Sequence, residues 1–129
     1  MDEPTRRDAI QRYVEATDRD SAHEIFHDDA ILEFPQSQER FEGKTNIIAW
    51  RKIYPAEVGF KIRRIHGQGK VWVVELSVQY DGGAWNYGCS ILEFQGDKVV
   101  RETIYFGEGW EAPEWRAPWR AAWQDGLVG

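Results

Sequence analysis

One carboxylate stands where a carboxylate is costly. From Val99 to Phe106 the chain alternates like a strand, and one face carries Val100, Glu102, Ile104 and Phe106. The other face, with Val99, Arg101, Thr103 and Tyr105, reads as wetter. A glutamate among apolar neighbours has three uses. It can fix structure by bonding Tyr13, a tryptophan indole N–H or Arg116; it can orient a ligand; or it can move protons. Desolvation brings a carboxyl toward neutral-pH acid/base work unless a cation or several donors hold it charged. Tyr13 is the second candidate. It lies on the stripe Ile10, Tyr13, Val14 and Thr17 of an amphipathic segment, as a core tyrosine with its hydroxyl at the edge or as a donor aimed at a ligand.

Other chemistry-bearing residues lack a pattern. His27-Asp28-Asp29 reads as a solvated turn, since consecutive residues rarely converge on one ion. His23 is expected on a helix surface and His66 at a strand end. Cys89 is a lone thiol, packed or at an interface, and Glu33 and Glu75 share the outward parity of their strands. No HExxH, GxSxG, phosphate-loop or dinucleotide motif occurs in the sequence. The expectation is therefore no metal and no cofactor.

The 129 residues suit a single domain over 1–129, able to bury roughly two thirds of its unfolded surface. A net charge of -6 with no basic stripe argues against nucleic acid or an anionic membrane as partner. One cysteine, a charged N-terminal MDEPTRRDAI and the lack of a long apolar run predict a cytoplasmic protein without a signal peptide. Seven tryptophans are many for this length, and such rings fill a core or line a site for a flat apolar ligand.

The elements that must position these groups follow in order. Thr5 and Asp8 resemble a capping box for a helix over about 4–18, and Ser21 with Glu24 for a short second one. Ala30–Phe34 is a short strand ended by Pro35, and 36–42 reads as a loop. Ile47, Trp50 and Tyr54 space a third helix ended by Pro55, with Arg51-Lys52 on its surface. Strands follow over 58–66, 71–80, 84–95 and 98–106, separated by Gly67-Gln68-Gly69, Asp81-Gly82-Gly83 and Gly96-Asp97. Helices first and a long antiparallel meander second make an α+β fold. The helices bury their stripes only if the sheet curls around them into a cone. Its mouth would be lined by Tyr13, Phe34, Trp50, Trp72 and the inner face of the last strand. A glycine-rich hinge at 107–109, then Trp110, Trp115 and Trp119, would supply a lid, with a last short helix starting near Pro118.

Several stretches carry a family resemblance: Arg12-Tyr13-Val14-Glu15, Phe26-His27-Asp28-Asp29-Ala30, Leu32-Glu33-Phe34-Pro35, Tyr80-Asp81-Gly82 and Gly96-Asp97-Lys98-Val99-Val100. Together with Arg101-Glu102-Thr103, Tyr105-Phe106 and Ala112-Pro113-Glu114-Trp115-Arg116, they resemble the NTF2-like superfamily, in its SnoaL-like and ketosteroid-isomerase-like branch. The resemblance covers nearly the whole chain. It implies N-terminal helices packed in a strongly curved, mixed but mainly antiparallel sheet. The steroid-isomerase site carries over poorly. Its helix-one tyrosine falls on Tyr13, but its general-base aspartate falls on Phe34 and its oxyanion-hole aspartate near Ser90, which makes steroid isomerisation a poor expectation. The Asp-Arg-Asp set of limonene-epoxide-hydrolase-like members does not assemble from these positions either. Glu102 falls on a pocket-facing position by this route too.

The resulting expectation is a small-molecule-binding protein with two readings. One is a cofactor-independent isomerase, polyketide-cyclase-like enzyme or hydro-lyase for an apolar substrate, with Glu102 as acid/base and Tyr13 as donor. The other is a non-catalytic module for a hydrophobic ligand. Substrate contacts are expected from Phe34, Trp50, Tyr54, Trp72, Leu76, Ser90, Ile104, Phe106 and Trp110. An apolar outer sheet face with Val71, Val73, Trp85, Tyr87, Cys89, Ile91 and Tyr105 predicts a homodimer through the sheet.

Overall fold

The computed structural model describes residues 2–16 and 22–124. Helix α1 spans Glu3–Glu15. A 3-10 turn at His23–Ile25 leads directly into strand β1, Phe26–Phe34. Then come β2 (Glu39–Glu42), α2 (Lys44–Lys52), β3 (Val58–Gln68), β4 (Val71–Tyr80), β5 (Trp85–Gln95) and β6 (Lys98–Glu108). A second 3-10 turn, Glu114–Trp119, ends the described regular structure. The six strands form one sheet in the order β2-β1-β6-β5-β4-β3. The β1–β6 pair is parallel and the others antiparallel, so this is the mixed, mainly antiparallel sheet of an NTF2-like α+β cone.

Local physics accounts for the helices. Asp2, not Thr5, caps α1: its carboxylate accepts from the Thr5 N–H at 2.9 Å, which also lowers the Asp2 pKa. The helix buries Arg6, Ile10, Tyr13 and Val14, spaced to share one face. Arg6 reaches the carbonyls of Gly69 and Gly96, in the β3–β4 and β5–β6 turns, so α1 is tied to the closed end of the sheet. The proposed end of α1 at Thr17–Asp18 and the Ser21 cap lie outside the described residues. Gly43, at φ 91°, starts α2 in a backbone region that favours glycine. Ile10, Phe26, Leu32, Ile47, Val74, Leu92, Phe94 and Val99 are almost wholly buried between helices and sheet. Each such side chain contributes about 1.5–3 kcal/mol.

Three expectations change. The His27-Asp28-Asp29 stretch belongs to β1, where parallel pairing with β6 extends the strand four residues ahead of Ala30. Residues 39–42 pair with β1 instead of looping freely. And Val99 faces the core while Val100 does not, because Phe94 pairs with Val99 while Glu93 pairs with Arg101, leaving Val100 as an extra residue in β6. The bulge flips parity only N-terminal to it, so Glu102, Ile104 and Phe106 still share the inner face.

Candidate functional site

The sheet curls around α1 and α2 to leave a cleft of about 1160 Å³. Its walls are Phe34 and Phe41, then Trp50 and Tyr54, then Leu76 and Val78 of β4, Tyr80, and Ile104 with Phe106 of β6. Rings meet along one wall: Phe34 and Trp50 at 5.8 Å, Phe41 and Trp50 at 5.0 Å, and Tyr54 stacked on Tyr80 at 5.9 Å. Burial pushes the Tyr80 hydroxyl up to about 12, with its Tyr54 neighbour adding to the shift. Tyr13, Arg51, Ser90 and Glu102 are polar members of the lining that cluster together.

Glu102 is 2% exposed. Its Oε1 accepts from the Tyr13 hydroxyl at 2.5 Å, and its Oε2 accepts from the Ser90 hydroxyl. Arg51 completes the cluster. Its Nη1 donates to the Tyr13 oxygen at 2.6 Å and contacts His23 Nε2 at 2.8 Å, while Nη2 stands 4.0 Å from Glu102 Oε1. A guanidinium has only donors, so His23 Nε2 must present its lone pair and the imidazole is the neutral Nδ1–H tautomer. The Tyr13 hydroxyl therefore accepts from Arg51 and donates to Glu102. Both hydroxyls donate to Glu102, one to each carboxyl oxygen. Burial, reinforced by the Glu102 charge, raises the Tyr13 pKa against the opposing pull of Arg51. Burial also works against the charge on Arg51, but facing Tyr13 and Glu102 it ends above the ordinary arginine value.

Four elements bring these groups together. Tyr13 sits on the buried stripe of α1, Ser90 and Glu102 on the inner faces of β5 and β6, and Arg51 in the last turn of α2, where the helix dipole favours a cation. His23 is completely buried in the turn before β1, with its ring stacked on Phe26 at 5.5 Å.

Of the residues expected at the site, Tyr13, Phe34, Trp50, Tyr54, Leu76, Ser90, Glu102, Ile104 and Phe106 all line the cleft. Trp72 and Trp110 do not. Trp72 has the inward parity but sits beside the β3–β4 turn at the closed end. There its indole donates to the Gly69 carbonyl at 3.0 Å and Arg7 covers its ring at 5.5 Å. Trp110 is 84% exposed, and no described residue of the tail, 107–124, lines the cleft as a lid. It leaves beside Tyr87 on the outer face, where Gly109 packs close to that ring, and Trp123 lies under Arg63 at 4.8 Å.

Arg51 and His23 were assigned to helix surfaces and are instead at the centre. For Arg51 a signal existed: it is four residues from buried Ile47, on the same helical face as Trp50 and Tyr54. An arginine in an apolar stripe is as informative as a glutamate in one. For His23 no periodic signal existed, because the turn that buries it is too short to show one. Among the described residues, no three His, Cys, Asp or Glu side chains converge on a point that would hold a metal ion.

With this geometry in place, comparison gives the class. The model of the SnoaL-like domain matches residues 7–102, from α1 to the central carboxylate. This chain belongs to the SnoaL-like domain family, within the NTF2-like fold. It is similar to an NTF-2-like protein of unknown function from Burkholderia xenovorans LB400, at 41% identity over 94% of this chain and 97% of the other, with a TM-score of 0.88. A provisionally named ketosteroid isomerase from Kribbella flavida DSM 17836 is 21% identical over 98% and 96% of the two chains, with a TM-score of 0.81. An LEH-like epoxide hydrolase from M. tuberculosis is 19% identical over 81% and 84%, with a TM-score of 0.71. The last two share the fold; at that identity nothing more follows. No curated protein matches the chain.

Proposed function

We propose that the protein is a cofactor-independent acid/base enzyme of isomerase, cyclase or hydro-lyase type, acting on an apolar small molecule bound in the cleft. The observation that supports this reading best is Glu102 itself: a carboxyl group, 2% exposed, lining a cleft whose walls are largely aromatic and aliphatic. Each carboxylate oxygen takes one hydroxyl hydrogen bond and keeps a second lone-pair direction. In the proposed step Glu102 takes a proton from a ligand carbon, the C–H electron pair moves into the ligand's conjugated system, and the proton returns to a different atom. Tyr13 and Ser90 hold the carboxylate in place.

A second reading, the non-catalytic ligand carrier, gains weight from the same two hydroxyls, because donors on a carboxylate weaken it as a base. The two readings separate with 2-tetralone, a flat ketone with acidified C–H bonds. Proton NMR in D2O follows loss of its α-hydrogens. The enzyme reading expects the wild-type protein to accelerate exchange at least tenfold over buffer, and Glu102→Gln to lose the acceleration. Binding without acceleration favours the carrier.

We also assign a homodimer contact to the outer sheet face, where Val71, Tyr87 and Tyr105 are 41–56% exposed. Sedimentation should give a dimer that Tyr87→Glu weakens. A monomer at micromolar concentration would overturn this assignment.

A further inference from the structure

We infer that Arg51 is the group that receives the ligand's oxygen, so that the cleft selects flat apolar molecules carrying an acceptor-only oxygen, such as a ketone or quinone carbonyl. The inference rests on the reading of this cleft as a ligand site, but not on catalysis there.

The donor inventory at the inner end of the cleft leads to it. A carbonyl oxygen needs a hydrogen from the protein. The hydroxyls of Tyr13 and Ser90 spend theirs on Glu102. Glu102 accepts on both of its oxygens. The indole N–H of Trp50 makes no hydrogen bond among the described residues, but its nitrogen is sealed from solvent and so from the cleft. The Tyr54 and Tyr80 hydroxyls bond each other, and Tyr54, 40% exposed, lies toward solvent and away from the buried cluster of Glu102. Arg51 differs from all of these. Both hydrogens of Nη1 are committed, to Tyr13 and to His23, but Nη2 is 4.0 Å from Glu102, an ion-pair separation too long for a hydrogen bond. Arg51 lines the cleft with its side chain 13% exposed. Its planar fork is locked by two acceptors and by contact with the Tyr13 and Trp50 rings at 5.8 and 5.4 Å. A donor fixed in this way meets a ligand oxygen with little ordering cost.

The same geometry divides roles. Tyr13 and His23 are positioning residues: Tyr13 accepts from Arg51 and spends its hydrogen on Glu102, and His23 holds the guanidinium from outside the cleft lining. Arg51 and Glu102 then form a two-point site, donor and acceptor 4.0 Å apart, for a carbonyl oxygen and the acidic hydrogen beside it.

The test is a pair of probes that differ by one oxygen, 2-tetralone and its hydrocarbon parent tetralin, titrated by calorimetry. Wild-type protein should bind the ketone about tenfold more tightly, the range of one hydrogen bond to a charged donor. Arg51→Met should make the two dissociation constants equal, and Glu102→Gln should retain the preference. If Arg51→Met does not fold, the arginine side-chain 15N signals of the wild-type protein give the answer: the Arg51 Nη resonances should shift with 2-tetralone and not with tetralin. No ketone preference in the wild type, a preference that survives Arg51→Met, or unmoved Nη signals would each overturn the inference. Loss of α-hydrogen exchange with the binding preference intact would instead remove only the catalytic reading.

Discussion

Glu75 and Glu102 lie on the same sheet, on opposite faces, each facing arginine, and they do different work. Glu75, on the outer face of β4, pairs with Arg63 at 2.9 Å and with neighbouring Arg64, and its side chain is 27% exposed. A bulge makes this possible: β3 carries Arg63 as an extra residue between Ile62 and Arg64, so that two adjacent arginines reach one carboxylate. Those salt bridges outweigh desolvation and lower the Glu75 pKa. Glu102 meets its cation at 4.0 Å and takes its close contacts from two hydroxyls. One carboxylate is neutralised and wet; the other is buried, oriented by neutral donors and faced by an arginine that keeps donors in hand. Charge satisfaction builds a surface tie in the first case. In the second, incomplete satisfaction leaves a site.

The largest expected contrast comes from removing the arginines. Arg51→Met leaves Glu102 buried without its cation and should cost about 3–5 kcal/mol in chemical denaturation. Arg64→Met on the outer face should cost under about 1 kcal/mol, and less at high salt. Equal losses would erase the distinction. Next, Tyr13→Phe removes the hydroxyl that bridges Arg51 and Glu102, with an expected cost of about 1–3 kcal/mol. It also gives a pH signature. The folded-state pKa of Tyr13 is raised, so above about pH 10 the unfolded chain loses a proton that the folded one keeps. Stability therefore falls as pH rises past that point, and Tyr13→Phe should flatten the decline. An unchanged alkaline limb would place the hydroxyl in water. The smallest effect is at Glu75. Its lowered pKa means that its contribution is complete above the ordinary glutamate value and is lost as pH falls through the folded one. Glu75→Gln should remove that acid dependence at a cost of about 0.2–1 kcal/mol near neutrality.

The comparison also shows what a sequence exposes. The meander and the inward aim of Glu102 were legible because alternation over Glu102, Ile104 and Phe106 is a local property of one strand. Val100 broke the same rule, since a bulge is an agreement between two strands and leaves no mark in either. Trp72 faces inward, as its parity says, but lies outside the cleft lining, because parity gives a face but not a depth along the cone. His23 escapes for a related reason, since its position depends on where the turn before β1 docks, whereas Arg51 is legible in its four-residue spacing from buried Ile47. Composition and the glycine hinge at 107–109 suggest a lid from Trp115 and Trp119, but both are exposed and the described tail lies beside the outer face.

The central claim is that Glu102, and no carboxylate of the outer face, is the group that exchanges protons with a ligand. Deuterium exchange at the α-carbons of 2-tetralone measures this directly, with Glu102→Gln and Glu75→Gln compared side by side. The account predicts accelerated exchange in wild type and in Glu75→Gln, and the buffer rate in Glu102→Gln. Exchange by Glu102→Gln at the wild-type rate would contradict it.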